Sequence, residues 1–273
     1  MPESGMLNRL SLNQITLNKL TLPQCVDACV RHQIGWIGPW RNKVAETGLA
    51  ESAKVIRGAG LRVSGLCRGG YFPAPSARQR AEQIDDNLRA IDEAATLGTD
   101  TLVLVCGPAP DRDIDAARGM VADGIAAIVD HARSTGVRLA IEPLHPMFAA
   151  DRSVIVLVDE ALELAQKFDA ADVGLALDVF HIWWDPYIYD KLKLCSGRIL
   201  AFHVSDWAVP LPGIFAARSM MGAGVIELHR LRMAVEAGGY SGPIEVEIMN
   251  EALWNRPADE VMEEMKRTFV QSL

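Results

Sequence analysis

Residues 137–142 read VRLAIE, 173–178 read VGLALD, 199–203 read ILAFH and 244–247 read IEVE. Each is a short apolar run of the kind that forms a buried strand. Each also ends on a residue able to bind a metal: Glu142, Asp178, His203 and Glu247. These four are separated by 36, 25 and 44 positions, long enough each time for a strand, a helix and two loops. If the runs pair as parallel neighbours, all four side chains emerge at one end of one sheet. Three carboxylates cannot share a partly dry cavity without a compensating cation, and a divalent metal is the simplest one.

Working outward, the same alternation covers the chain. Strands are predicted at 11–17, 34–37, 61–66 and 101–105 ahead of the four runs already quoted. Helices are predicted at 22–31, 44–58, 76–97, 113–134, 154–168, 185–194, 225–237 and 258–270. Eight strand–helix units in 273 residues predict an α/β fold, a closed (β/α)8 TIM barrel forming a single domain over 1–273. The rival, an open doubly wound sheet, calls for a glycine-rich phosphate turn after the first strand, and SLNQITLNKL has no glycine. Active sites of such barrels lie at the C-terminal ends of the strands. The long irregular segment 205–224 follows the seventh strand at that end and is placed to cover a substrate.

Composition narrows the function. A net charge of −8 argues against a nucleic-acid partner. No run of 18 apolar residues predicts a membrane helix, and the opening MPESGMLNRL lacks a secretory pattern. Five scattered cysteines form no compact ligand cluster and fit reduced thiols in a cytoplasm.

Three carboxylates and one imidazole suit Mn2+, Mg2+ or Co2+ and tolerate Zn2+. A single strand-end carboxylate more often caps a helix or pairs with an arginine; four successive strands ending this way point to a metal. Glu245 shares the parity of Glu247 and is expected one layer deeper. His181, His145 and Asp206 each follow a candidate ligand by three residues. His181 is expected to hydrogen-bond substrate. His145 either touches substrate or orders the loop between Pro143 and Pro146, and Asp206 either supports the ligands or meets a substrate hydroxyl. Arg218 and Arg68 lie in expected active-face loops, where each can bind a carboxylate, phosphate or hydroxyl. Phe72, Trp183, Trp184 and Trp207 are placed to offer flat faces to a sugar or to pack their loops.

The segments IEPLHP (141–146), LDVFH (177–181), FHVSDW (202–207), RSMMGAGVIEL (218–228) and IEVEI (244–248) resemble the sugar phosphate isomerase/epimerase family. It belongs to the xylose isomerase-like TIM-barrel superfamily, with ketose 3-epimerases, inosose isomerases and dehydratases, and endonuclease IV. The resemblance implies one divalent metal, Mn2+ first, held by Glu142, Asp178, His203 and Glu247, with His181 and Arg218 facing substrate. It implies that Glu142 and Glu247 also act as acid and base in isomerising a sugar, polyol or keto-sugar. A dehydratase of the inosose type would use the same site. An endonuclease-like phosphodiesterase fits less well, because the chain is acidic, the ligands for a trinuclear set are not evident, and His32 sits at the wrong end of its strand. A barrel that binds a polyol without turning it over is the non-enzymatic alternative. The remaining expectations are a small-molecule substrate, no nucleic-acid or membrane partner, and a homodimer or homotetramer. Ala223 stands where the family often has an acidic residue, and Glu227 where an Ile-Asp pair is usual.

Overall fold

In the computed structural model, which describes residues 3–213 and 216–273, strand and helix alternate around a closed parallel sheet. The strands are β1 (Leu10–Asn13), β2 (Trp36–Gly38), β3 (Arg62–Val63), β4 (Leu66–Gly70), β5 (Thr101–Val105), β6 (Arg138–Ile141), β7 (Val173–Asp178), β8 (Ile199–Val204), β9 (Asp206–Trp207), β10 (Arg218–Ser219) and β11 (Ile244–Val246). Nine of them form one sheet in the order β3-β2-β1-β11-β8-β7-β6-β5-β4. Its two ends, β3 and β4, are successive pieces of the third strand position, and a Trp40–Cys67 bridge spans the gap beside them. The result is the predicted TIM barrel in a single domain. The remaining pair, β9 and β10, is antiparallel and lies in the loop after β8; of the predicted 205–224 segment, residues 214 and 215 fall outside the described ones.

Several elements depart from their predicted spans for local reasons. The first strand stops at Asn13, whose Oδ1 accepts the Ile15 N–H at 3.0 Å and turns the chain into a 3-10 helix, Gln14–Leu17. The third strand breaks at Ser64 and Gly65, where the Ser64 hydroxyl turns inward to the Glu245 carboxylate. The predicted 44–58 helix is two helices, Arg41–Thr47 and Leu49–Gly58, divided by Gly48 at φ 88°. The helices predicted at 154–168, 185–194 and 225–237 begin later, at Val158, Ile188 and Leu228, because the preceding residues belong to active-face loops.

Strand alternation sets two faces. Leu139, Ile141, Leu175, Leu177 and Phe202 point outward into the core beneath the helices. Ala140, Ala176 and Ala201 alternate with them and pack with Val103 and Leu200 inside the barrel. Two residues further along the same inner face come Glu142, Asp178 and His203. Small alanines therefore lie one layer below three of the candidate ligands. In β11 the corresponding position is Glu245, below Glu247. Glu245 is buried and accepts from Asn13 Nδ2 at 2.5 Å and from the Ser64 hydroxyl. Gly38 on β2 makes the room: a Cβ there would lie 2.2 Å from Glu245 Oε1.

All five cysteines are free and buried. Burial pushes the Cys25 thiol up to about 12 and the Cys195 thiol up to about 11, which makes thiolate chemistry unfavourable at both. Among the described residues no helix is long and apolar enough to cross a membrane.

The contrast between two glycines tests this packing. Gly38→Ala should destabilise the protein by about 2 kcal/mol or more, through overpacking against a hydrogen-bonded carboxylate. Gly119→Ala, at an exposed helix position with open space around its Cβ, should stabilise by about 0.5–1 kcal/mol. Urea unfolding midpoints measure both, and equal effects would contradict the role given to Gly38.

Candidate metal centre and active site

The four strand ends converge. Asp178 closes β7 and pairs in register with His203 on β8. Glu142 and Glu247 are the first residues past β6 and β11, and their backbone N–H groups still donate into the sheet, to Leu104 O at 3.1 Å and Val204 O at 3.0 Å. All four side chains are buried, and each offers one ligand atom within 4.8 Å of the others.

The polar atoms inside this group are poorly satisfied. His203 Nδ1 lies 3.2 Å from Glu247 Oε2 and 3.7 Å from Glu142 Oε1, yet makes no aligned hydrogen bond. Asp178 Oδ1 accepts the Phe180 N–H at 2.9 Å. Its Oδ2 lies 2.6 Å from Arg218 Nη2, a close ion pair that also lacks hydrogen-bond alignment. Buried polar atoms left in this state call for a further partner. Three carboxylates and an imidazole aimed at one point fit a divalent cation, and the oxygen-rich donor set is compatible with Mn2+, Mg2+, Co2+ or Zn2+.

The electrostatics agree with that fit. Burial raises the Glu142 carboxyl above its ordinary range; the charges of Glu247 and Asp178 add to the effect, and His203 opposes it. Burial works against a charged His203 ring, but Glu245, Glu142 and Glu247 together outweigh it and lift the ring well above its usual value. Burial would likewise raise Asp178, but the charged Arg218 guanidinium beside it brings it down to about 2. Burial pushes His181 down to about 3, so this ring is neutral. Arg218 Nη2 lies 3.3 Å from His181 Nε2. Arginine can only donate, so the ring proton sits on Nδ1. That Nδ1–H has no protein partner among the described residues.

Arg218 ties the strand ends together. It is 5% exposed, donates to Ser205 Oγ at 3.1 Å and to the Glu247 carbonyl at 3.2 Å, and stacks over the Phe180 ring at 4.3 Å. A cavity of about 280 Å³ opens above Glu142 and Glu247, with His181, Arg218 and Arg68 among its walls.

The other predicted contacts sit elsewhere. His145 Nδ1 accepts the Met147 N–H at 3.2 Å, and its ring packs against Trp184 and Trp207, which orders the loop after β6. Asp206 accepts from the backbone N–H groups of Trp207, Gly222, Gly224 and Ile226 at 2.8 to 3.0 Å. It is the anchor around which the MMGAG turn folds; a Cβ on Gly224 would lie 2.2 Å from the Trp207 carbonyl. Trp207 stacks on Phe180 at 4.7 Å and contacts Trp183. Phe72 fills the space left by Gly124 on the helix outside the barrel. His32 ends a helix and pairs with Asp259. Among the wall residues that went unforeseen are Trp40, Tyr71 and Arg152. Trp40 and Tyr71 follow β2 and β4 within two residues, and that position just past a strand was the available signal.

The sequence model of the family described as xylose isomerase-like TIM barrel matches residues 26–269. The chain belongs to this family. A solved structure of protein SMc04130 from Sinorhizobium meliloti 1021 superposes with a TM-score of 0.95 at 46% identity, covering 97% of this chain and 98% of that one. The L-ribulose-5-phosphate 3-epimerase UlaE of Salmonella paratyphi A is 28% identical over 208 residues, 74% of this chain and 69% of the epimerase. A 3-dehydroshikimate dehydratase of Pseudomonas aeruginosa is 29% identical over 193 residues, 65% of this chain. The match spans only 28% of that dehydratase's length.

Asp178→Asn tests the metal assignment. The variant keeps an oxygen for the Phe180 N–H but lowers the ligand charge, so metal retained after dialysis should fall from about one ion per chain to under a tenth. Elemental analysis gives the count. Full retention would show that Asp178 is not a ligand. Added metal should stabilise the wild type by about 2.7 kcal/mol at a hundredfold excess over the dissociation constant, and should do little for the variant. The variant itself should be about 3–5 kcal/mol less stable, because Arg218 loses its buried counter-charge.

Proposed function

We propose that this protein is a divalent-metal-dependent isomerase or epimerase of a sugar, polyol or keto-sugar. One observation carries the reading: Glu142 and Glu247 flank His203 Nδ1 and also line the cavity, so each carboxylate reaches both the candidate metal position and the substrate space. When bound, a divalent cation supplies a Lewis acid that polarises a substrate carbonyl and stabilises negative charge developing on oxygen.

The chain's own residues do the rest. One of the two glutamates removes the proton from the carbon beside the carbonyl, and the other returns a proton at the neighbouring carbon or at the opposite face. His181, neutral with its proton on Nδ1, donates to a substrate oxygen. Arg218 holds Asp178 and the Glu247 backbone in place, so the spacing of the floor survives exchange of substrate for product. Enclosure by Trp40, Tyr71 and Leu144 limits water at the reacting carbon.

The 3-dehydroshikimate dehydratase relative keeps a second outcome in view: proton removal followed by loss of a hydroxyl beside it. Both outcomes start with abstraction of a carbon-bound proton, and one experiment separates them. The metal-loaded protein is incubated in D₂O with a panel of ketoses, keto-polyols and their phosphate or carboxylate derivatives, and products are read by NMR. Deuterium at the carbon beside the carbonyl with a new stereocentre or carbonyl position supports isomerisation, whereas a new carbon–carbon double bond supports dehydration. Glu142→Gln and Glu247→Gln should each slow deuterium uptake by about 10²–10⁴-fold. Uptake at the wild-type rate in both variants would remove them from the acid–base role.

A further inference from the structure

We infer that the ligand of this site is bipartite: a polar, hydroxyl-bearing part over the metal-capable floor, joined to an apolar alkyl or aryl group that fills a second lobe beside His181. This deepens the reading above and rests on its placing the substrate over Glu142 and Glu247.

Space is the first argument. Beside the cavity of about 280 Å³ lies another of about 240 Å³, and the two share Arg152, His181, Arg218 and Met249 in their walls. They therefore adjoin. Phe148, Phe180, Ala216 and Trp254 face the second lobe, with the exposed Glu251 at its rim. None of the four candidate metal ligands is among its described wall residues, so a group placed there stays clear of the reacting carbon. An apolar cavity of about 150 Å³ is enough to hold a benzene ring. This lobe has room for a phenyl group or an alkyl chain of similar bulk.

The second argument is the chemistry of the wall. Its cations are already engaged. Arg218 is held by Asp178, Ser205 and the Glu247 carbonyl. Arg152 lies over the Phe148 ring at 4.9 Å and is itself partnered. What remains is aromatic and thioether surface. Phe180 is fixed by Trp207 at 4.7 Å and Arg218 at 4.3 Å, and Phe148 stands edge-on to His181 at 5.8 Å. Walls fixed in advance lose little freedom on binding, while the unbranched Met249 side chain adapts to the shape of what enters. Such a surface favours an apolar group, whereas hydroxyls placed there would give up water without gaining partners.

His181 marks the junction. It lines both lobes, and its Nδ1–H has no protein partner among the described residues. An oxygen at the link between the polar and apolar parts is the acceptor within its reach.

The test compares one sugar carrying three substituents. Methyl, phenyl and hexyl β-D-glucopyranoside are titrated by calorimetry into the protein in buffer containing magnesium. The wild type is expected to bind the phenyl and hexyl probes about tenfold or more tighter than the methyl probe. Ala216→Trp, which fills the lobe, should abolish that preference. Leu194→Ala, which trims a leucine 68% exposed and outside both cavity walls, should leave it intact. Should Ala216→Trp misfold by circular dichroism, Trp254→Ala removes one wall of the lobe and should weaken the preference in its place. Equal binding of the three probes, no binding of any, a preference that survives both lobe variants, or one lost equally in Leu194→Ala overturns the inference, even if unsubstituted sugars still take up deuterium. A lobe-dependent preference in a protein that exchanges no carbon-bound proton supports the bipartite site while overturning the isomerase reading.

Discussion

The C-terminal face of this barrel depends on the contact between Arg218 and Asp178. Asp178 is fully buried, and an isolated carboxylate in that position would give up its charge. Arg218, drawn in from the loop after β8, keeps it ionised and is itself fixed by Ser205 and the Glu247 backbone. One guanidinium thereby links the ends of β7, β8 and β11 and sets the mutual position of three candidate ligands. Without a metal, Glu142 and Glu247 are left around the His203 ring, which they and Glu245 lift well above its usual value. A divalent cation would take over that balancing role.

The layer beneath explains why the ligands stand where they do. Ala140, Ala176 and Ala201 take little space two residues before Glu142, Asp178 and His203 on the same inner face, which leaves room for those three side chains to converge. Glu245 breaks this pattern and brings its own lodging: Gly38 gives it volume, and Asn13 and Ser64 donate to it. Its Oε1 lies 4.0 Å from His203 Nε2, on the side of the ring away from Glu142 and Glu247. Carboxylates behind ligand histidines favour the tautomer that presents the other nitrogen to a metal. Asn13 also accepts from the Trp40 indole at 2.8 Å, so the polar layer below the ligands continues into the cavity wall.

These inner residues were legible in the sequence to very different degrees. The strand ends stood out because a buried run that stops on an ionisable residue is unusual once and improbable four times over, and because Glu247 lies nearer the strand end than Glu245, which shares its parity. The closed barrel followed from counting alternations. Local backbone competition was not visible: Asn13 turning the chain at Ile15 and Ser64 splitting the third strand depend on side chains choosing backbone or distant partners, and Gly48 divides a helix through its positive φ. His145, Asp206 and Trp207 show the same limit from the other direction. Their spacing from the ligands was real information about position along the chain. It carried none about direction, and each side chain turns away from the cavity to order its own loop.

That division bears on how substrate choice arises in such a barrel. The floor is built from residues whose burial and mutual charge leave little freedom, since changing any one strands another. Arg68 lies within β4, Trp40 and Tyr71 follow β2 and β4 closely, and Arg152 lies in the loop after β6; all four are partly exposed, and the two arginines lie over the rings of Tyr71 and Phe148. Replacing them leaves the charge balance of the floor intact. On the proposed reading, one metal-capable floor would serve a common first proton abstraction, and the walls would steer it toward isomerisation or loss of water.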